Sequence, residues 1–278
     1  MSTRAYLGYT HTMFEERSSR RTFLLRLVAV TGAVVTVPLP ANAYLDQWLA
    51  WMVSREQERA LGLQGWEKIR QTSRESSNQA LTKRLNRVGH QIVNAGTSTE
   101  ASWEFVVFES DQINAFALPG GKVGFFEGIF NVIENDAQLA AVLGHEVGHV
   151  TARHAAQRIG ARFASRLGLQ AADILMHLGG VGLAEAISAM LGLGVEYGVI
   201  LPYSRYHEYE ADRDGMTAMA RAGYDPEQAV RLWQNMALAK GGNGPAELLS
   251  THPSDGNRIL ALERLLPEAR KFYRPGGD

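Results

Sequence analysis

The chain has 278 residues, of which 45% are hydrophobic and 21% charged, and its formal net charge is −1. This length suffices for one large domain with a substantial core, and the lack of a basic stripe beyond the N-terminus argues against a nucleic-acid-binding protein. The chain has no cysteine, which excludes disulfide bonds and thiolate chemistry and leaves any metal site to histidine and carboxylate ligands.

The N-terminus has the organisation of an export signal. Paired arginines at 20–21 are followed by an apolar run and then by Ala-Asn-Ala at 41–43, the small-residue pattern at which signal peptidase cuts. The arginine pair also resembles the twin-arginine export signal. We therefore expect a signal peptide over 1–43 and a single periplasmic domain over 44–278, with an uncleaved membrane anchor as the alternative.

The first half of the expected domain changes from helix to strand. Residues 44–95 are predicted to form two or three helices, because apolar residues recur there at three- and four-residue spacing. Strand-like runs follow at 103–108, 113–118 and 122–126, and a Pro-Gly-Gly turn joins the last two. A small sheet of three or four strands in a mainly helical chain predicts an α+β fold.

Helical patterns return beyond the strands. One helix is predicted over about 136–158 and another over about 205–222. Asp-Pro-Glu-Gln at 225–228 opens a third helix with an N-cap and a proline at the first helical position. A loop at 241–245, rich in glycine, separates it from a C-terminal helix at about 256–270.

Residues 178–202 form an apolar, glycine-rich segment that carries two glutamates. We interpret it as a buried or lid-like helical hairpin over a cleft. A membrane-spanning helix is the alternative, although charged residues and glycines argue against it.

The sequence His145-Glu146-Val147-Gly148-His149 lies inside the helix predicted over 136–158. Two histidines four residues apart share one helix face, so their ring nitrogens can converge on one metal ion while Glu146 projects beside them. This is the H-E-x-x-H signature of zinc peptidases. A pair of hydrogen-bonded structural histidines is the alternative.

A third ligand is needed, because catalytic zinc usually takes three protein ligands and keeps one position open. Glu208 is the candidate, and Asp212, four residues later on the same helix face, can orient a ligating histidine. Glu210 lies about 160° round the helix from one of them and is expected to face elsewhere. His154 is about 140° from His149 on a continuous helix, so we expect it to be structural or exposed. A solvated acidic face is the alternative for the carboxylates.

Taken together, these motifs resemble a known family. The H-E-x-x-H sequence and Ser-Arg-x-x-Glu-x-Glu-Ala-Asp at 204–212 are similar to the CAAX-prenyl-protease and HtpX family of zinc metallopeptidases, metallopeptidase family 48, of the gluzincin type. Asn-Ala-Phe-Ala-Leu-Pro-Gly-Gly at 114–121, and Thr-His-Pro at 251–253 with Arg258, fit the same family. The match favours its soluble, exported branch.

The resemblance implies one Zn²⁺ per chain and a water-activating mechanism. Glu146 would act as the general base that takes a proton from water and passes it to the leaving amine. His252 or Arg258 is the candidate donor to the oxyanion, and His252 can alternatively reach the zinc and shut the site. The residues implied as zinc ligands are His145, His149 and Glu208.

The resemblance also implies a zincin-like fold in which the edge strand of the sheet borders the active-site cleft. An extended peptide would add to that strand by main-chain hydrogen bonds, which requires an unfolded substrate segment. Sheet core is the alternative for these residues. The residues expected in the edge strand are Gly121, Lys122, Val123 and Gly124.

We therefore expect a zinc endopeptidase that hydrolyses unfolded or misassembled envelope proteins in periplasmic quality control. Its expected partners are unfolded polypeptides, with membrane-surface or outer-membrane assembly-machinery contact as a further candidate and no nucleic acid. The alternative function is a latent, chaperone-like zinc protein of envelope assembly whose site is held closed by His252.

Overall fold

The computed structural model describes residues 50, 53–98, 100, 102–160, 204–239, 252 and 258–275. They fall in one unit of the chain, residues 43–278. The predicted signal peptide, the apolar segment at 178–202 and the predicted loop at 241–245 lie outside the described residues. None of the helices in the described part is both long and apolar enough to cross a lipid bilayer.

The described elements confirm a mainly helical α+β, zincin-like fold with a small sheet. The helices are α1 Arg55–Thr72, α2 Gln79–Ala95, α3 Asp136–Thr151, α4 Arg205–Arg221, α5 Glu227–Ala239 and α6 Arg258–Ala269. The strands are β1 Glu104–Phe108, β2 Ala115–Leu118 and β3 Lys122–Phe126, and a 3₁₀ turn covers Glu127–Asn131.

Polar caps begin the two helices that carry the predicted site. Asn135 precedes α3, and its side-chain oxygen accepts from the backbone N–H of Gln138 at 2.9 Å. Ser204 precedes α4 and accepts from the backbone N–H of His207 at 3.2 Å. Because each cap satisfies a backbone donor that the helix itself cannot pair, it sets where the helix starts.

The sheet has the order β1-β3-β2, with β1 parallel and β2 antiparallel to β3. The prediction that 121–124 forms an edge strand is therefore wrong, because β3 is hydrogen-bonded on both sides. The tight turn explains the pairing: Gly120 and Gly121 adopt φ of 85° and 74°, which folds β3 back along β2. The edge strand that contacts α3 is β2.

The sheet is covered on both faces. One face, with Phe105 and Phe125, joins the main core formed with α2 and α3. The other face packs Phe108 and Phe116 against Trp66 of α1. Because both faces of β3 are buried in this way, the sheet is a rigid support for the helix that carries the H-E-x-x-H sequence.

Helices α3 and α4 pack backbone to backbone. A Cβ atom on Gly144 would lie 2.7 Å from the carbonyl oxygen of Gly215, and one on Gly148 would lie 3.0 Å from that of Ala211. The first distance is shorter than real Cβ atoms show, and the second is tighter than most of their contacts, so a side chain at either position would push the helices apart. The absence of side chains lets the two helices approach until their ligand-bearing residues meet.

Helix α3 ends earlier than predicted. It stops at Thr151 rather than continuing to 158, and the chain becomes helical again at 154–160. Between the two stretches, Arg153 adopts a φ of 59°, the left-handed region that non-glycine residues rarely occupy. Its guanidinium donates to the buried carboxylate of Glu58 and to the carbonyl of Val53, each at 2.7 Å. These contacts with α1 and with the segment just before it stabilise the left-handed conformation of Arg153, and with it the break in the helix.

Candidate active site

Four buried side chains from three parts of the chain converge between α3 and α4. One ligand atom from each lies within 4.8 Å of the others. The cluster contains the three predicted zinc ligands together with the histidine predicted either to donate to the oxyanion or to reach the metal. Its members are His145, His149, Glu208 and His252.

The separations between these atoms suit one metal ion. The Nε2 atoms of His145 and His149 lie 3.0 Å apart, and Nδ1 of His252 lies 3.1 Å from Nε2 of His145. Oε1 of Glu208 lies 3.1 Å from Nδ1 of His252 and 3.5 Å from Nε2 of His149. Ligands about 2.0 Å from a tetrahedral zinc are about 3.3 Å from one another, so the cluster is close to that spacing.

Glu146 is buried beside the cluster with an unsatisfied oxygen. Its Oε1 makes no hydrogen bond and lies 3.4 Å from Nε2 of His252. A buried acceptor without a donor is unfavourable unless the site supplies one, for example a water molecule. Together with the histidine and carboxylate ligands, this unsatisfied oxygen fits a catalytic zinc site in which Glu146 would accept a hydrogen bond from water.

Asp212 fixes the ring of His145. Its Oδ1 lies 2.8 Å from Nδ1 of that ring, so a proton on Nδ1 is donated to the carboxylate and Nε2 faces the cluster. Burial and the guanidinium of Arg258 oppose protonation, but Asp212 outweighs them and raises the pKa of His145 to about 9. The surroundings therefore favour a positive charge at this point, whether proton or metal.

Arg258 bridges the two carboxylates of α4. Its Nε and Nη2 donate to Asp212 at 2.9 and 2.7 Å, and its Nη1 donates to Glu208 at 2.8 Å. The guanidinium also lies 3.6 Å over the ring of Trp233. Because its donors point at these two carboxylates, the geometry favours a bridging role over the predicted oxyanion role.

The electrostatics keep the carboxylates ionised and one histidine neutral. Although burial opposes ionisation, hydrogen bonds from His145 and His252 hold the pKa of Glu208 far below its ordinary value. Burial also opposes ionisation of Asp212, but the charge of Arg258 lowers its pKa. Burial, followed by the neighbouring histidines, lowers the pKa of His149. An ionised carboxylate and a neutral imidazole are the forms that ligate zinc.

His154 and Glu210 lie beside the ligand cluster without belonging to it. His154 is fully buried, and its Nδ1 lies 2.8 Å from Nδ1 of His149. Its Nε2 lies 3.1 Å from Oε2 of Glu210. His154 was expected on the side of the helix away from the zinc site, and this position is wrong because the break at Arg153 redirects the chain. Glu210 is not a member of the ligand cluster and reaches it only through His154. No local sequence signal indicates this break, because it depends on the contact of Arg153 with Glu58 of α1.

Comparisons with known proteins agree with the site. Residues 79–266 match peptidase family M48. The mitochondrial metalloendopeptidase OMA1 of Schizosaccharomyces pombe is 39% identical over 188 residues, 67% of this chain and 53% of that protein. The beta-barrel assembly-enhancing protease of Yersinia pestis is 31% identical over 218 residues, 74% of this chain and 43% of that protein. Human OMA1 is 34% identical over 182 residues, 63% of this chain and 34% of that protein. The chain thus spans about half or less of the length of these curated relatives.

Proposed function

Because the chain belongs to peptidase family M48, a family of zinc-dependent metalloendopeptidases, we propose that it hydrolyses internal peptide bonds of unfolded or misassembled cell-envelope proteins. The observation that carries the proposal is the position of Glu146. Its buried, unsatisfied Oε1 lies beside a cluster of converging metal ligands. A purely structural metal site does not require a buried, unpaired carboxylate oxygen next to its ligands, whereas a catalytic site requires a base there.

In this mechanism three side chains of the cluster hold Zn²⁺. The bound ion would supply a Lewis acid that polarises the scissile carbonyl and makes water more acidic. The side chains that hold it would be His145, His149 and Glu208, with Asp212 orienting the first of them.

Glu146 performs the proton transfers. Its Oε1, free of hydrogen bonds, accepts the proton of the attacking water and afterwards delivers it to the nitrogen of the leaving amine. Burial of the carboxylate excludes bulk water, so that the proton is retained between the two steps. Removal of this one carboxylate should therefore stop the chemistry without removing a ligand.

Substrate would bind along β2 rather than along β3. Strand β2, Ala115–Leu118, pairs with β3 on one side, and its other side has no partner among the described strands. It also contacts α3, which carries Glu146. An extended peptide can add there by main-chain hydrogen bonds, which tolerates many sequences and requires an unfolded segment. This geometry supports unfolded polypeptides as the substrate class.

The biological role is proposed from the relatives and the N-terminus. The name of the Yersinia pestis relative describes a protease that enhances β-barrel assembly. Combined with the export signal predicted over residues 1–43, that name supports a periplasmic location and work on misassembled envelope proteins. Contact with the outer-membrane assembly machinery, and with the membrane surface, belongs to the same proposal.

The decisive test compares cleavage of unfolded casein by wild type and by Glu146→Gln, with zinc content measured on both samples. We expect about one zinc per chain in each and a loss of cleavage of about 10²-fold or more in the variant. Glu109→Gln, which removes an exposed carboxylate, is the matched control and should cleave as wild type. Equal cleavage by Glu146→Gln would disprove the proposal.

A latent, chaperone-like protein is a second candidate, favoured by one contact. Nδ1 of His252 lies within the ligand cluster, and its Nε2 lies 3.4 Å from Oε1 of Glu146, so this histidine would occupy the position left open for water on a zinc ion held by the other three side chains. If it holds the site shut, His252→Ala should cleave faster than wild type. If it donates to the oxyanion, the same variant should cleave more slowly, with a fall in kcat larger than any change in KM.

A further inference from the structure

The two histidines proposed to bind zinc are both connected to carboxylates of α4. One contact is direct, and the other passes through a third histidine. His145 reaches Asp212 directly, as described above. His149 reaches Glu210 through the ring of His154, which lies between them with contacts of 2.8 and 3.1 Å. This second route uses residues to which neither the H-E-x-x-H sequence nor the proposed mechanism assigns a role.

The route exists because the helix is broken. On a continuous helix, a residue five positions after His149 would point about 140° away from it. The left-handed conformation of Arg153 turns the chain so that His154 returns towards the ring. The ring of His154 is fully buried and stacks on that of His207 at 4.4 Å. The orientation of the His154 ring is therefore restricted by the stacking on His207 and by the contacts of its two nitrogens.

The proton positions follow from the contacts. Ligation of a metal by Nε2 of His149 requires the proton of that ring to be on Nδ1, from which it is donated towards Nδ1 of His154. His154 must then hold its own proton on Nε2, which donates to Oε2 of Glu210. Each ring has one donor and one acceptor, and both are used. By accepting at Nδ1, His154 favours the tautomer that leaves Nε2 of His149 able to ligate a metal.

We propose that His154 and Glu210 are positioning residues that hold His149 in its metal-ligating tautomer and orientation. The inference rests on the proposed zinc site and deepens it. Ligating histidines commonly donate their second nitrogen to an outer partner, and loss of such partners typically weakens metal binding about 10- to 100-fold. The competing explanation is that His154 only fills space between α3 and α4.

The test measures zinc affinity of the full-length protein by competition with a chromophoric chelator. His154→Leu keeps the volume and removes the acceptor, and it should bind zinc about 10- to 100-fold more weakly. His154→Asn retains an acceptor near the position of Nδ1, and it should recover part of that loss. The visible spectrum of the cobalt-substituted protein reports ligand geometry, and it should change more in His154→Leu than in His154→Asn, whereas equal changes in the two variants would favour the packing explanation.

A matched pair on α4 keeps the test decisive if His154→Leu does not fold. Glu210 is partly exposed, so Glu210→Gln should fold, and it should weaken zinc binding measurably. Asp214→Asn removes an exposed carboxylate from the same helix and should bind zinc as wild type. Zinc affinity in Glu210→Gln equal to that of Asp214→Asn would overturn the proposal, as would equal affinities of His154→Leu and wild type. Because no substrate is present, either failure leaves the casein result unaffected.

Discussion

Gly144 of α3 and Gly215 of α4 touch backbone to backbone, and a Cβ on Gly144 would lie 2.7 Å from the carbonyl oxygen of Gly215. Gly144 directly precedes the first ligand of the H-E-x-x-H sequence. The contact therefore determines how near His145 and His149 come to Glu208. The zinc site depends on two residues that have no side chain.

Gly144→Ala should separate the two helices. The added methyl group meets backbone, which cannot move aside cheaply, so we expect a destabilisation of about 1–3 kcal/mol and weaker zinc binding. Urea unfolding and chelator competition measure the two effects. Gly65→Ala, within α1, is the control, since its Cβ would lie in ordinary contact with the side chain of Leu118 of β2, at 3.5 Å. It should be neutral or slightly stabilising, and an equal loss in both variants would contradict the explanation.

Arg153 offers a second test of how the site is built. Arg153→Ala removes the contacts to Glu58 and Val53 and keeps the left-handed backbone, whereas Arg153→Gly removes the same contacts and relieves the backbone strain. We expect both variants to be less stable than wild type, with the glycine variant more stable than the alanine variant by about 1 kcal/mol. Thermal unfolding of the metal-free proteins gives the order. The reverse order would show that the left-handed conformation is not maintained without the arginine.

The residues of the candidate site could be placed on common helix faces from the sequence, because the spacing within the H-E-x-x-H sequence depends only on helix periodicity. His145 and His149 share a face in any regular helix, and Glu208 and Asp212 do so on α4. The structure brings these residues together, and Oδ1 of Asp212 lies 2.8 Å from Nδ1 of His145. Local spacing was sufficient because each pair lies within one helix.

Properties that depend on contacts between distant segments could not be predicted in this way. Strand order depends on which strands pair, and the periodicity of residues 121–124 fits a central strand as well as an edge strand. The helix break at Arg153 depends on Glu58, which lies 95 positions earlier in the chain. A regular helix was the natural expectation there, so His154 was placed on the wrong face.

Removal of zinc should destabilise the protein markedly. The cluster is buried, and the metal binds the folded state far better than the unfolded one, so its loss removes about 4 kcal/mol when free zinc is a thousand times the dissociation constant. For a domain of this size we expect a fall in Tm of about 10 °C on adding EDTA. Zinc, but not magnesium, should restore it. His145→Ala should show little response to EDTA, and a wild type that is equally insensitive would argue against the site.

The start of α3 should carry a pH-dependent part of the stability. Asp136 accepts from Arg84 at 2.7 Å and from Arg87 at 2.6 Å, and, although partial burial opposes ionisation, these hydrogen bonds lower the pKa of Asp136. Because the folded value lies below the unfolded one, the stabilisation is complete above about pH 4 and is lost as the pH falls through the folded value. Asp136→Asn should therefore destabilise metal-free protein by about 1 kcal/mol at pH 7 and by little at pH 2.5, as measured by urea unfolding. Glu268→Gln, which alters an exposed pair with Lys271, should have little effect at either pH. A loss in Asp136→Asn that is the same at both pH values would mean that the carboxylate acts through packing and not through its charge.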